Sequence, residues 1–150
     1  MKNRKIFRGI FSDNRGSALI EFAILAPALI GMMMGILYVG VQMMSYNSIR
    51  AVSSDIARYT LVEYQKLGVV AAKQLITPTV IKDRAIAIAV NPPYSLNADN
   101  LNVAVTKPNS DITGTDKFTA TITYTPYNPV GFMGVDGPVM VETRSFYVGA

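Results

Sequence analysis

Cysteine, histidine and tryptophan are all missing from the 150 residues of this chain. Without cysteine there are no disulfides to staple a small fold and no thiolates to hold a metal. Without histidine the chain lacks the usual general base at neutral pH and the commonest metal ligand. Charge is scarce as well, at 16% of residues, and very unevenly placed. From Gly16 to Ile49 the sole charged residue is Glu21. These absences point away from an enzyme and from a metalloprotein, so no catalytic residue, metal ligand or cofactor is expected.

The chain is rich in apolar side chains, which make up half of it. Phe22 to Met44 is an uncharged run of 23 residues dominated by Ile, Leu, Met and Ala. At about 1.5 Å per residue such a helix covers about 35 Å, enough to cross a hydrocarbon core of about 30 Å with some tilt. A secretory signal normally has a shorter apolar region followed by a small-x-small cleavage site, so this helix is expected to stay in the mature protein. The formal net charge of +4 is contributed by the tail before the run, where Lys2, Arg4, Lys5, Arg8 and Arg15 face Asp13 alone. Basic residues on that side should stay cytoplasmic, which exports everything after about Ser45. A nucleic-acid-binding protein would carry its excess charge on the folded domain; here the domain is neutral, and no nucleic-acid partner is expected.

The junction between tail and run reads Arg15-Gly16-Ser17-Ala18-Leu19-Ile20-Glu21-Phe22. One reading makes Glu21 a favourable charge at the positive end of the helix dipole. Ser17 then serves as N-cap, although a capping box would need Glu or Gln where Ile20 stands. The other reading starts from a pattern: a basic leader, a glycine, four small or apolar residues, a glutamate, then a long apolar helix. This pattern resembles the leaders of type IV pilins and pseudopilins. Together with Ala23 and Leu25-Ala26-Pro27-Ala28-Leu29, it resembles in particular the opening of TadE-like proteins, minor pseudopilins of tight-adherence (Flp/Tad) pilus systems. Phe22 departs from the pattern, since processed members often carry Tyr there.

The resemblance implies a cut between Gly16 and Ser17 by a prepilin peptidase, with Glu21 and Phe22 in the processing and assembly motif. It also implies an inner-membrane protein with a cytoplasmic N-terminus. Its partners would be membrane lipid, other pilins or pseudopilins, and the inner-membrane pilus assembly platform. Within the helix, Pro27 removes an i→i−4 hydrogen bond and is expected to loosen or kink it. Gly31 and Gly35 form a GxxxG pattern that permits close helix approach in a membrane. The expected organisation is a leader over 1–16, a transmembrane helix over 17–44, a helical stalk over 45–68 and a small exported domain over 69–150.

In the exported part, Ile49, Val52, Ile56 and Tyr59 recur as one apolar helical stripe. Thr77-Pro78 is a helix start, with Thr as N-cap and Pro at the first position. Ile81, Arg84, Ala85, Ile88 and Ala89 then predict a short amphipathic helix ended by Asn91-Pro92-Pro93. Period-two patterns follow in Leu101–Val105, Phe118–Tyr124 and Val139–Val148, the last two separated by a Pro/Gly-rich loop from Pro126 to Gly137. The expected fold is therefore α+β and pilin-like: a long N-terminal membrane-spanning helix, a short second helix and a three-stranded antiparallel sheet with helices on one face. Tyr124, Tyr127, Phe132 and Met133 near the loop are expected to close the bottom of the core. Asp99, Asp111, Asp116 and Asp136 are expected in turns.

Three other functions remain open at this level. One is a pseudopilin of a type II secretion or DNA-uptake machine, another an uncleaved bitopic protein with an exported binding domain. The third is a membrane-anchored enzyme, which the missing His and Cys disfavour.

Overall fold

The computed structural model describes residues 14–128, 130, 131, 134 and 136–149, without the side chains of residues 14–17 and 69. The leader before Asn14, and Phe132 and Met133 near the Pro/Gly-rich loop, lie outside the described residues. The chain divides into two compact units, Met1–Val39 and Gly40–Ala150. Helix α1 (Asn14–Leu67) runs through both. Two shorter helices follow, α2 (Val69–Leu75) and α3 (Pro78–Val90), then strands β1 (Leu101–Thr106), β2 (Thr115–Tyr124) and β3 (Met140–Gly149). The fold is α+β with a long apolar N-terminal helix, shorter helices and a three-stranded antiparallel sheet of order β1-β2-β3.

Local chemistry accounts for the element ends. Helix α1 stops at Gly68, whose φ of 72° and ψ of 156° lie in backbone space that glycine alone enters readily. Helix α3 starts where Thr77 Oγ1 accepts the Val80 amide at 3.4 Å, with Pro78 at the first helical position. It ends at Asn91, whose side-chain amide reaches back to the Ala87 carbonyl at 2.8 Å. The alternation in β2 holds as the period predicts: Phe118, Ala120, Ile122 and Tyr124 are buried, and the threonines between them face the other way. Cross-strand hydroxyl pairs, Thr119–Ser145 at 3.0 Å and Thr121–Thr143 at 3.3 Å, join β2 to β3 on that second face.

The core of the second unit is one cluster. Ile49, Val52 and Ile56 of α1 meet Ile81, Ala85 and Ala89 of α3 and the buried faces of the three strands. Phe118 stacks on Phe146 at 6.0 Å between centroids, and Tyr64 meets Phe118 edge-on at 6.2 Å. Small residues Ser53, Ala57 and Thr60 also lie in the α1 interface, which lets the helix approach closely. Thr60 returns its hydroxyl to the Ile56 carbonyl at 2.9 Å.

Four details differ from the sequence pattern. The α1 stripe continues through Thr60 and Tyr64, while Tyr59 is half-buried. At 100° per residue Tyr59 sits about 80° from Ile49 around the helix, whereas Thr60 sits within about 20° of it. Helix α2 was not anticipated; its seven residues are too few to show a helical period. Asp116 lies in β2, not in a turn, because that strand begins at Thr115, three residues before Phe118. Of the aromatic group, Tyr124 is buried but Tyr127 is 73% exposed, so the two do not close the core together.

Asp116 fastens the far end of α1 to the sheet. Its Oδ2 accepts the Tyr64 hydroxyl at 3.0 Å and pairs with Lys107 Nζ at 3.1 Å. Burial pushes the Asp116 carboxyl up, but the hydrogen bonds from Lys107 and Tyr64 outweigh it and hold the group below its ordinary value. The Tyr64 phenol is pushed well above its ordinary value, first by burial and then by the carboxylate beside it.

Two expectations follow. Gly68→Ala meets no neighbouring atom, yet it places a Cβ at φ 72°; we expect it to destabilise the fold by about 1–3 kcal/mol in denaturant unfolding. Tyr64→Phe should cost about 1–2 kcal/mol and change the pH dependence at both ends. The Asp116 contribution is complete above the ordinary carboxylate pKa of about 3.9 and is lost as pH falls through the lower folded value. The Tyr64 contribution is complete below about pH 10 and is lost as pH rises toward its raised folded value. A variant that unfolds with the same alkaline profile as the parent would rule out this role for Tyr64.

Candidate functional site

The residues singled out by the sequence lie along the first part of α1. Helix α1 is described from Asn14 onward, and the Gly16–Ser17 peptide bond lies in its first described turn. Glu21 and Phe22 are one turn on and exposed, Phe22 at 66%. Glu21 sits at the edge of the apolar run, where a carboxylate costs less than at its centre. The structure thus brings Gly16, Ser17, Glu21 and Phe22 together within about two turns of one helix.

Pro27 lies inside the helix, and α1 is continuous through it from Asn14 to Leu67. Gly31, Gly35 and Gly40 adopt ordinary helical backbone, and a Cβ built at any of the three meets nothing within 4 Å. Neither backbone conformation nor packing within this chain requires glycine at these positions. Beside Gly35, the side chains of Met32, Ile36 and Val39 border a shallow apolar notch. Leu19, Ile24, Ile36 and most other large apolar residues of the run are exposed.

The most apolar 18-residue window of α1 has a mean hydropathy of 2.2 and none of it is buried. The core helix of a soluble protein would hide such a window. Here it is a candidate membrane span by length, composition and exposure. Just past it, the Gln42 side chain has both amide atoms buried with no hydrogen-bond partner among the described residues.

A family model described as TadE-like protein matches residues 16–58. The matched stretch opens on Gly16, includes Glu21, Phe22, Pro27, Gly31 and Gly35, and covers the segment whose residues carry the sequence resemblance. This N-terminal part of the chain is similar to TadE-like proteins. The match stops at Arg58, within α1, so the sheet and the two shorter helices fall outside it. No curated protein and no solved structure matches the chain.

The second unit carries a feature that sequence reasoning did not find, a groove between α1 and α3 with Arg58 and Arg84 on its walls. The signal was present as charged residues three to four apart on each helix, but nothing in the sequence shows that the two faces meet.

The open space at Gly35 gives a test. Gly35→Ala should leave the unfolding transition unchanged or raise it by up to about 1 kcal/mol, because alanine is the better helix former and meets no atom here. A drop of that size would reveal a contact within the chain that the structure does not contain.

Proposed function

We propose that this chain is a minor pseudopilin acting in the assembly of a tight-adherence (Flp/Tad) pilus, in its initiation, priming or tip. The observation that carries the reading is the TadE-like match over residues 16–58, falling on a helix whose apolar window is wholly unburied. TadE-like proteins point to Tad pilus systems, and an apolar helix of this length suits a membrane-anchored pilus protein. In this reading the protein is structural and not an enzyme. It sits in the inner membrane as a single span, with the C-terminal domain on the extracytoplasmic side.

The chemistry of the junction supports the finer steps. A prepilin peptidase cutting after Gly16 would make Ser17 the new N-terminus. Its α-amino group, with a reference pKa of about 8, is mostly protonated at neutral pH. In a bundle of such helices the Glu21 carboxylate of one subunit pairs with that ammonium on the next. Losing one partner of a buried pair costs about 3–5 kcal/mol, so the pair sets the stagger of neighbouring helices. Gly31 and Gly35 let those helices approach closely, which accounts for glycine where this chain's own packing makes no demand for it. The partners are the peptidase, other pilins or pseudopilins, the assembly platform and membrane lipid.

The N-terminus of the protein from cells with and without the peptidase tests the processing step. Ser17 should be first in the former and absent as an N-terminus in the latter. A chain that still carries its leader in peptidase-positive cells would exclude processing. In the Glu21→Ala variant cleavage should continue while piliation fails, and normal piliation would remove the stagger role.

A further inference from the structure

We propose that the groove between α1 and α3 is a docking site for a partner segment that combines apolar side chains with spaced carboxylates. The groove has a volume of about 640 Å³ and lies wholly within the second unit. One wall is a single face of α1, where Asp55, Arg58, Tyr59, Val62 and Glu63 recur three to four residues apart. The facing wall is Arg84 and Ile88 of α3, and the turn after it closes one end with Tyr94.

The charges in this groove are unequally satisfied. Asp55 accepts the Tyr94 hydroxyl at 2.8 Å, and Glu63 pairs with Lys66 at 3.0 Å. Both carboxylates are therefore engaged. Arg84 lies over the Tyr59 ring, 5.0 Å from its centroid, and has no carboxylate partner among the described residues. Arg58, exposed on the same groove, has no hydrogen bond or ion pair among them. Two guanidinium groups, each able to grip a carboxylate through two parallel hydrogen bonds, thus line the same groove as Val62, which is 38% exposed.

That combination selects the occupant. A bare anion would gain nothing from Val62, Ile88 and the tyrosine rings. A phosphate-dense polymer would offer the arginines anions but no apolar side chain to cover Val62. A peptide segment that places an Asp or Glu opposite each arginine and an apolar side chain between them satisfies all three features. Arginine with tyrosine around an apolar centre is also the composition from which binding hot spots are built. The inference is independent of processing, because the groove lies outside the leader junction and reads the same whether or not the chain is cut after Gly16.

The test is photo-cross-linking in the producing cells, using the full chain with Val62 replaced by p-benzoylphenylalanine. We expect one protein adduct whose cross-linked peptide contains Asp or Glu beside an apolar residue. Arg58→Glu combined with Arg84→Glu should lower its yield about tenfold or more, the affinity lost with one charge-assisted hydrogen bond. Replacing the partner's carboxylate by Lys should restore the adduct in the reversed variant. Should the double variant fail to accumulate, Arg58→Gln alone, at an exposed position, should still lower the yield severalfold. An adduct unchanged by these substitutions, adducts to lipid alone, or no adduct at all would overturn the proposal.

Discussion

The structure depends first on the exposure of the apolar part of α1. From Leu19 to Met44 most large side chains are more than half exposed within the chain. Returning one such side chain from water to an apolar environment yields about 1.5–3 kcal/mol. Summed along the run, that is on the order of tens of kcal/mol, well beyond the about 5–15 kcal/mol that holds a typical domain folded. Exposing this run to water is therefore costly, which suits a candidate membrane span. A bilayer covers such a run all round, and a bundle of similar helices does so in part.

The same helix is built differently after Gly40. Apolar side chains contract to a stripe, and small residues such as Ser53, Ala57 and Thr60 replace bulky ones at the sheet. The second unit has no disulfide and only a modest core, so its polar fastenings carry more weight than in a larger domain. Tyr64, Asp116 and Lys107 form one of these, tying the end of α1 to β2 and to the segment after β1.

Much of this was legible in the sequence because it rests on local periods. The uncharged run, the Thr77-Pro78 start and the Thr-alternating strand each follow from side-chain spacing over a few residues. The features that escaped are those in which distant segments meet. Tyr64 and Asp116 are 52 residues apart, and the arginines of the groove sit on different helices. Helix α2 escaped for the opposite reason, being shorter than the window in which a period can be read. Within the N-terminal segment, spacing was enough to single out Gly16, Glu21, Gly31 and Gly35 but says nothing of what lies beside them. The empty surroundings of the glycines came from the structure.

The absence of native cysteine allows the central claim, a membrane-resident helix with an exported domain, to be measured directly. Met33→Cys and Asn109→Cys place single thiols in the apolar run and on an exposed loop. In cells whose outer barrier alone has been opened, a membrane-impermeant maleimide should label the thiol at position 109 and leave that at position 33 unmodified. Labelling at 109 only after the inner membrane is broken, or equal labelling at both positions, would contradict the account.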